Sequence, residues 1–165
     1  MKVLLPNLID SLREELKQYG EMLARLDHQQ AVVMRRRTDD LLPSVETVNG
    51  QAAVIAAARG EREQRQRHLA RHLHLPETAG LTEILPLLPP DYRPLVQALV
   101  KENNELLTRV QQRARQNHLL LSHAVELMQR LMTVIFPGAA PAVYNDAGQL
   151  PGAALPQHSL YEAVG

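Results

Sequence analysis

The stretch that decides the fold runs from residue 91 to residue 136 and reads DYRPLVQALVKENNELLTRVQQRARQNHLLLSHAVELMQRLMTVIF. Mostly apolar side chains recur in it at alternating steps of three and four residues, which is the heptad pattern of a helix packed along a seam. No Gly or Pro interrupts this pattern between Pro94 and Pro137. The stretch therefore predicts one long helix over about 91–136. Its seam consists of Tyr92, Val96, Leu99, Asn103, Leu106, Val110, Arg113, Asn117, Leu120, Ala124, Leu127, Leu131 and Val134.

Two shorter patterns of the same kind precede this helix. The first predicts a helix over about 6–36, and it ends in the arginines 35–37, whose charge is favourable beside the unpaired carbonyls of a last turn. The second predicts a helix over about 41–74, in which Pro43 falls in the first turn, where its missing N–H costs little. Between the second and third helices, a short helical turn is predicted at about 82–88.

The composition supports an all-α fold. The 165 residues include no Trp, one Phe and four Tyr, so the core must be built from Leu, Val, Ile, Met and Ala. We expect an elongated antiparallel bundle of three long coiled-coil-like helices over residues 1–136. Residues 137–165 contain four Pro and four Gly, which cannot maintain a long helix, so they predict a flexible C-terminal tail.

Charge and cysteine content restrict the environment of the protein. Lys plus Arg and Asp plus Glu number 18 each, so the whole chain has no field that draws it to nucleic acid or to an anionic membrane. The absence of Cys excludes disulfides and fits a reducing compartment. The apolar run at the N-terminus stops at Pro6, too early for a signal sequence or a membrane span. We expect a cytoplasmic protein with no nucleic-acid partner and no direct membrane insertion.

No pattern of catalytic or metal-binding residues emerges from the sequence. His68 and His72 are one helical turn apart and so share a face, but His74 is poorly placed to supply a third ligand. The arginines between Arg59 and Arg71 are interleaved with glutamates and have no aromatic residue among them, which argues against nucleic-acid binding. No Gly-rich loop or nucleophile motif occurs. We predict that the protein is not an enzyme and uses no metal or cofactor.

Three polar residues lie on the seam of the long helix: Asn103, Arg113 and Asn117. A polar residue at a seam position disfavours misaligned pairing, so the first interpretation is that these residues fix the register of the helices. The second is that they mark the place where the seam opens to receive a ligand helix. The sequence favours the first interpretation.

Beyond residue 119 the apolar positions spread outside the seam. Leu120, Leu127 and Leu131 can pack inside the bundle, whereas a second stripe, Leu121, Met128, Met132 and Ile135, faces outward unless something covers it. Exposed apolar patches that contain flexible Met side chains are typical of surfaces that bind partners. The alternative is that the second stripe widens the core against the first two helices.

Two motifs stand out in the C-terminal third of the chain. QNHLL at 116–120 opens about two dozen residues of Leu, Met and Gln pattern, and after a Pro-Gly break VYNDAGQ follows at 143–149. Together they resemble the FlgN family of flagellar type III export chaperones. Family members are small cytoplasmic helical proteins that hold the hook–filament junction subunits FlgK and FlgL and deliver them to the export gate. The resemblance therefore implies that FlgK and FlgL are partners and that the cytoplasmic domain of the export gate is another.

Carried over by position, the family's client-binding region falls on Leu121, Met128, Met132 and Ile135, and its gate-docking tyrosine on Tyr144. A chaperone of this kind is expected to be a monomer or a weak dimer that forms a one-to-one complex with its client. The alternative from a different functional class is a structural coiled-coil adaptor that self-associates through the same stripe. Such an adaptor would form a stable oligomer on its own.

Overall fold

The computed structural model describes residues 3–135, and every regular element in that range is helical. The predicted all-α class is therefore confirmed for this part of the chain, whereas the predicted tail at 137–165 lies outside it. In chain order the elements are α1 (Leu4–Met34), α2 (Thr38–His72), α3 (Leu81–Ile84), a 3-10 turn (Leu85–Leu87) and α4 (Arg93–Ile135).

Both α1 and α2 end in a residue with left-handed backbone geometry. At the end of α1, Arg36 has φ 55°, and the Arg37 N–H donates to the Val32 carbonyl at 3.1 Å. This closure satisfies carbonyls of the last turn and reverses the chain at once. As a result α2 begins at Thr38 rather than near residue 41, and Pro43 lies inside the helix rather than in its first turn. His74, with φ 58°, ends α2 in the same way.

The first two long helices form an antiparallel hairpin. Near the middle of α2, the Gln51 side-chain N–H₂ donates to the Gln18 carbonyl at 3.1 Å. Further along α2, the Arg62 guanidinium lies 2.9 Å from the Glu15 carboxylate. Residue numbers therefore fall along α1 as they rise along α2, as the sequence predicts for a helical hairpin.

In contrast, α4 runs parallel to α1, and two buried asparagines fix its register. The Asn103 side-chain N–H₂ donates to the Leu12 carbonyl at 3.0 Å, and that of Asn117 donates to the Leu26 carbonyl at 2.7 Å. Both bonds join residues 91 apart in the sequence, so one register holds along the whole contact. Two of the three polar seam residues thus make the kind of contact that the first interpretation, fixing of the helix register, requires.

The predicted antiparallel bundle of three helices is not confirmed. Helix α1 packs along both α2 and α4, whereas the backbones of α2 and α4 hardly approach one another, and α3 is a fourth, short helix. A cavity of about 240 Å³ lies in the gap, where Arg59 and Gln66 of α2 face Asn103 and Leu107 of α4. The described part of the protein is thus a central helix with one long helix packed on either side of it.

A polar layer divides the core into two apolar clusters. The lower cluster includes Leu8 of α1 and Ile84 of α3, and the upper cluster includes Met22 of α1 and Val110 of α4. Between them the Tyr19 hydroxyl donates to the Glu15 carboxylate at 2.8 Å, and Glu15 also pairs with Arg62. Burial, together with the charge of Glu15, raises the pKa of Tyr19 well above its ordinary value of 10.0. The layer accounts for a charged residue, Arg62, on the side of α2 that packs against α1.

We expect Asn117→Asp to lower the free energy of unfolding by about 2–3 kcal/mol, because a carboxylate has no N–H to donate to the Leu26 carbonyl and would be buried with a charge. Asn117 is 1% exposed, whereas Asn104 lies on the exposed side of the same helix. Urea unfolding of both variants is the measurement, with Asn104→Asp as the isosteric control. Equal and small losses in the two variants would mean that the buried amide does not set the register.

Candidate functional site

The C-terminal end of α4 extends beyond the hairpin against which the rest of the helix packs. Continuing the register of the two asparagines would set Met34, the last residue of α1, level with Val125. From residue 122 to residue 135 every residue is exposed. We call residues 122–135 the α4 extension. At 1.5 Å per residue, its part beyond Val125 projects about 15 Å past the end of α1.

The α4 extension is rich in large apolar side chains that no described residue covers. Leu127, Met128, Leu131 and Met132 are all more than half exposed, at 58%, 56%, 57% and 52%, and Val134 reaches 77%. Monomeric proteins rarely expose so many neighbouring large apolar side chains unless these side chains bind a partner. The extension is therefore the strongest candidate for a functional site within residues 3–135.

The structure places the four predicted client-binding residues on this surface. Leu121 lies at the root of the extension and is half-buried, whereas Met128, Met132 and Ile135 are exposed. At about 100° per residue, all four point within about 40° of the direction of Val110, which is buried against the hairpin. The stripe that was expected to face away from the bundle thus continues the buried face of α4, and it is exposed because the hairpin has ended.

The expectation that Leu127 and Leu131 of the seam pack inside the bundle was wrong. Leu127, Leu131 and Val134 are as exposed as the second stripe. A strict seven-residue repeat drifts by about 20° per heptad around a straight α-helix, so a seam counted from Tyr92 has moved to the flank of the helix by its last turns. The predicted helix lengths also indicated this exposure, because the helix at 91–136 is longer than either of the two helices that could cover it.

A narrower polar stripe occupies the opposite side of the α4 extension. It consists of Ser122, His123, Glu126, Gln129, Arg130 and Thr133. His123 and Glu126 form an exposed ion pair at 3.8 Å, and the Thr133 hydroxyl donates to the Arg130 carbonyl at 2.7 Å. The extension is thus strongly amphipathic, and its broad apolar face is the side that a partner would cover.

Neither the histidines nor the arginines of α2 form a second site in the described part of the chain. Residues 3–135 contain no group of three His, Asp or Glu side chains that could hold a metal ion. The arginines between 59 and 71 are largely paired with carboxylates: Arg59 with Glu63, Arg62 with Glu15, Arg65 with Glu61 and Arg71 with Glu77. The pairing leaves little unbalanced charge to attract a nucleic acid. No helix within residues 3–135 combines the length and the apolar character needed to cross a membrane.

Comparison with known proteins identifies the family. A family model described as FlgN protein matches residues 1–152 of the chain. The chain belongs to the FlgN family. No curated protein and no solved structure gives a significant match.

The FlgN match is wider than the resemblance that the sequence motifs indicate. It covers every helix described above and reaches past Tyr144, whereas the quoted motifs lie between residues 116 and 149. FlgN proteins are a chaperone family, which agrees with an exposed apolar face and gives no support for catalysis. Tyr144, the predicted gate-docking residue, lies outside the described residues.

We expect Met128→Glu combined with Met132→Glu to change the free energy of unfolding by no more than about 0.5 kcal/mol, because both side chains are already in water. Leu26→Ala should instead cost about 2–5 kcal/mol, since Leu26 is 1% exposed in the upper cluster. Thermal and urea unfolding measure both. If the double variant lost as much stability as Leu26→Ala, the α4 extension would be part of the core.

Proposed function

We propose that this FlgN protein is a cytoplasmic flagellar export chaperone that binds the hook–filament junction proteins FlgK and FlgL and delivers them to the type III export apparatus. Client binding is assigned to Leu121 at the root of the α4 extension and to the apolar face of the extension, including Met128, Met132 and Ile135. Docking to the cytoplasmic domain of the export gate is assigned to Tyr144. The protein acts without catalysis, metal or cofactor.

The observation that supports this proposal best is the apolar face of the α4 extension. A subunit that awaits secretion must keep its own assembly surfaces covered, and an amphipathic helix with an empty apolar face offers such a cover. Met128 and Met132 are unbranched and flexible, so they fit more than one client surface. This property suits a chaperone that serves both FlgK and FlgL.

The bundle beneath the extension supports the same function, because it holds the face in place. The Asn117 side chain bonds both to the Leu26 carbonyl and to the Gln29 side chain, just below the extension. The Arg113 guanidinium pairs with Asp27 of α1 at 3.0 Å. These contacts anchor α4 at the level where the exposed part begins. A client therefore meets a fixed helix root and does not have to order it.

We expect the variant with Met128→Glu and Met132→Glu to bind purified FlgK and FlgL of the same organism more than about tenfold more weakly, the loss typical of hot-spot residues. The control is Ser122→Glu with Thr133→Glu, which adds the same charge to the polar stripe of the same helix. Isothermal titration calorimetry measures the affinities, and sedimentation gives the mass of each complex. The control should bind like the unmodified protein.

Two outcomes would contradict the proposal. Equal affinity of the two double variants would separate client binding from the α4 extension. A stable oligomer of the protein alone, dissociated by the Met substitutions and indifferent to FlgK and FlgL, would instead identify the self-associating coiled-coil adaptor that the sequence also allows.

Tyr144 is expected to act at the next step, the delivery of the client. Its neighbours along the chain include Pro141 and Gly148, which are poor helix formers. The sequence around Tyr144 therefore predicts no helix seam into which its ring would pack. A short segment that orders when it docks loses conformational entropy, and burial of one aromatic ring with a bonded hydroxyl recovers part of that loss.

We expect Tyr144→Ala to leave helicity and client affinity unchanged while it weakens binding to the cytoplasmic domain of the export gate and lowers secretion of FlgK and FlgL. Circular dichroism, calorimetry and immunoblots of culture medium measure the three effects. Tyr161, another tail tyrosine, provides the control as Tyr161→Ala. A loss of thermal stability in Tyr144→Ala, or unchanged gate binding, would assign the ring to packing and the delivery step to other residues.

A further inference from the structure

The methionines of the described residues differ sharply in exposure. Met22 is fully buried in the upper cluster, whereas Met34, Met128 and Met132 are all more than half exposed. The chain contains no Cys, so the methionine thioethers are its only sulfur atoms. An oxidant that attacks sulfur therefore reaches Met34, Met128 and Met132, while the core shields Met22.

Two of the exposed methionines lie in the middle of the apolar face of the α4 extension. Met128 and Met132 are one helical turn apart, so their side chains are neighbours on the same side of the helix. Met128 points in the direction of Val110, which is buried against the hairpin, and Met132 points within about 40° of it. Leu127 lies on one flank of the pair and Val125 on the other. A client that covers the face therefore covers both thioethers.

Oxidation changes the chemistry of such a side chain while its backbone stays the same. When a peroxide oxidises methionine, the O–O bond breaks, an S–O bond forms and the second oxygen leaves as water. The sulfur loses two electrons and the peroxide gains them. The product is a polar, chiral sulfoxide in place of a flexible apolar thioether. An apolar client surface has no hydrogen-bond donor for the sulfoxide oxygen, so covering that oxygen is unfavourable.

We propose that Met128 and Met132 form a reversible oxidation switch, in which hydrogen peroxide converts both thioethers to sulfoxides and thereby lowers the affinity for an apolar client. This inference rests on the proposed chaperone function and adds a means of regulating the same site. The fold survives oxidation because both side chains are already exposed, whereas Met22 in the core is shielded. Methionine sulfoxide reductases, which remove the oxygen as water with thiols as the reductant, reset the switch.

A variant without the two thioethers provides the test. Met128→Leu combined with Met132→Leu keeps an apolar face of similar volume, has no sulfur to oxidise there, and retains Met1, Met22 and Met34. Both proteins are treated with hydrogen peroxide, freed of it with catalase, and titrated with untreated FlgK or FlgL in a calorimeter. We expect oxidation to weaken client binding by the unmodified protein more than about tenfold and to leave the affinity of the double variant unchanged.

Peptide mass spectrometry locates the added oxygen. We expect it on Met128 and Met132 and not on Met22, and we expect client bound before the treatment to protect both exposed residues. Circular dichroism should show the same helicity before and after oxidation. Incubation of the oxidised protein with methionine sulfoxide reductases should restore its affinity for the client.

Three results would overturn the oxidation switch: unchanged affinity of the oxidised protein, an equal loss of affinity in the double variant, or a loss of helicity on oxidation. Each of them would leave the chaperone function in place, because the untreated protein would still bind its client. If the untreated protein bound neither FlgK nor FlgL, the proposed function itself would fail, and the switch would fail with it.

Discussion

The parallel register between α1 and α4 is the constraint on which the rest of the structure depends. Two buried asparagine side chains, Asn103 and Asn117, donate to carbonyls of α1 across the contact between the helices. A shift by one residue would break both of these bonds. It would leave the buried Asn117 amide without the Leu26 carbonyl, and a buried donor without a partner costs about 1–3 kcal/mol. The register therefore determines how much of α4 is covered by the hairpin and how much remains exposed.

Most of the fold follows from the sequence, because the heptad pattern, the proline positions and the composition all favour helices. The direction of α4 follows as well, because the third long helix of an antiparallel order runs parallel to the first. The heptad pattern does not indicate that α4 packs along α1 and hardly approaches α2. The segment from residue 73 to residue 92 contributes to this placement, since its Ile84 and Leu88 lie in the lower cluster, where α1 and α4 also meet.

The candidate site was predicted in part. Met128, Met132 and Ile135 were identified as apolar residues beyond the needs of the core, and they are exposed. The exposure of Leu127 and Val134 was missed, because a count in steps of three and four ignores the drift of the seam around a straight helix. The buried pair of Glu15 and Arg62 was missed as well. Glu15 stands between Leu12 and Tyr19 on the packed face of α1, and a carboxylate at such a place requires a cationic partner.

The continuity of α4 has a consequence for the distance between the two proposed activities. The described part of α4 reaches Ile135, at the tip of the face that is proposed to bind the client, and Tyr144 follows nine residues later in the sequence. A chain of that length spans at most about 30 Å. A client on the extension and a gate domain held by Tyr144 would therefore share a small volume, in which each experiences the other at an effective concentration on the order of millimolar. Handover of cargo would then proceed as an intramolecular transfer, largely independent of how scarce either protein is in the cell.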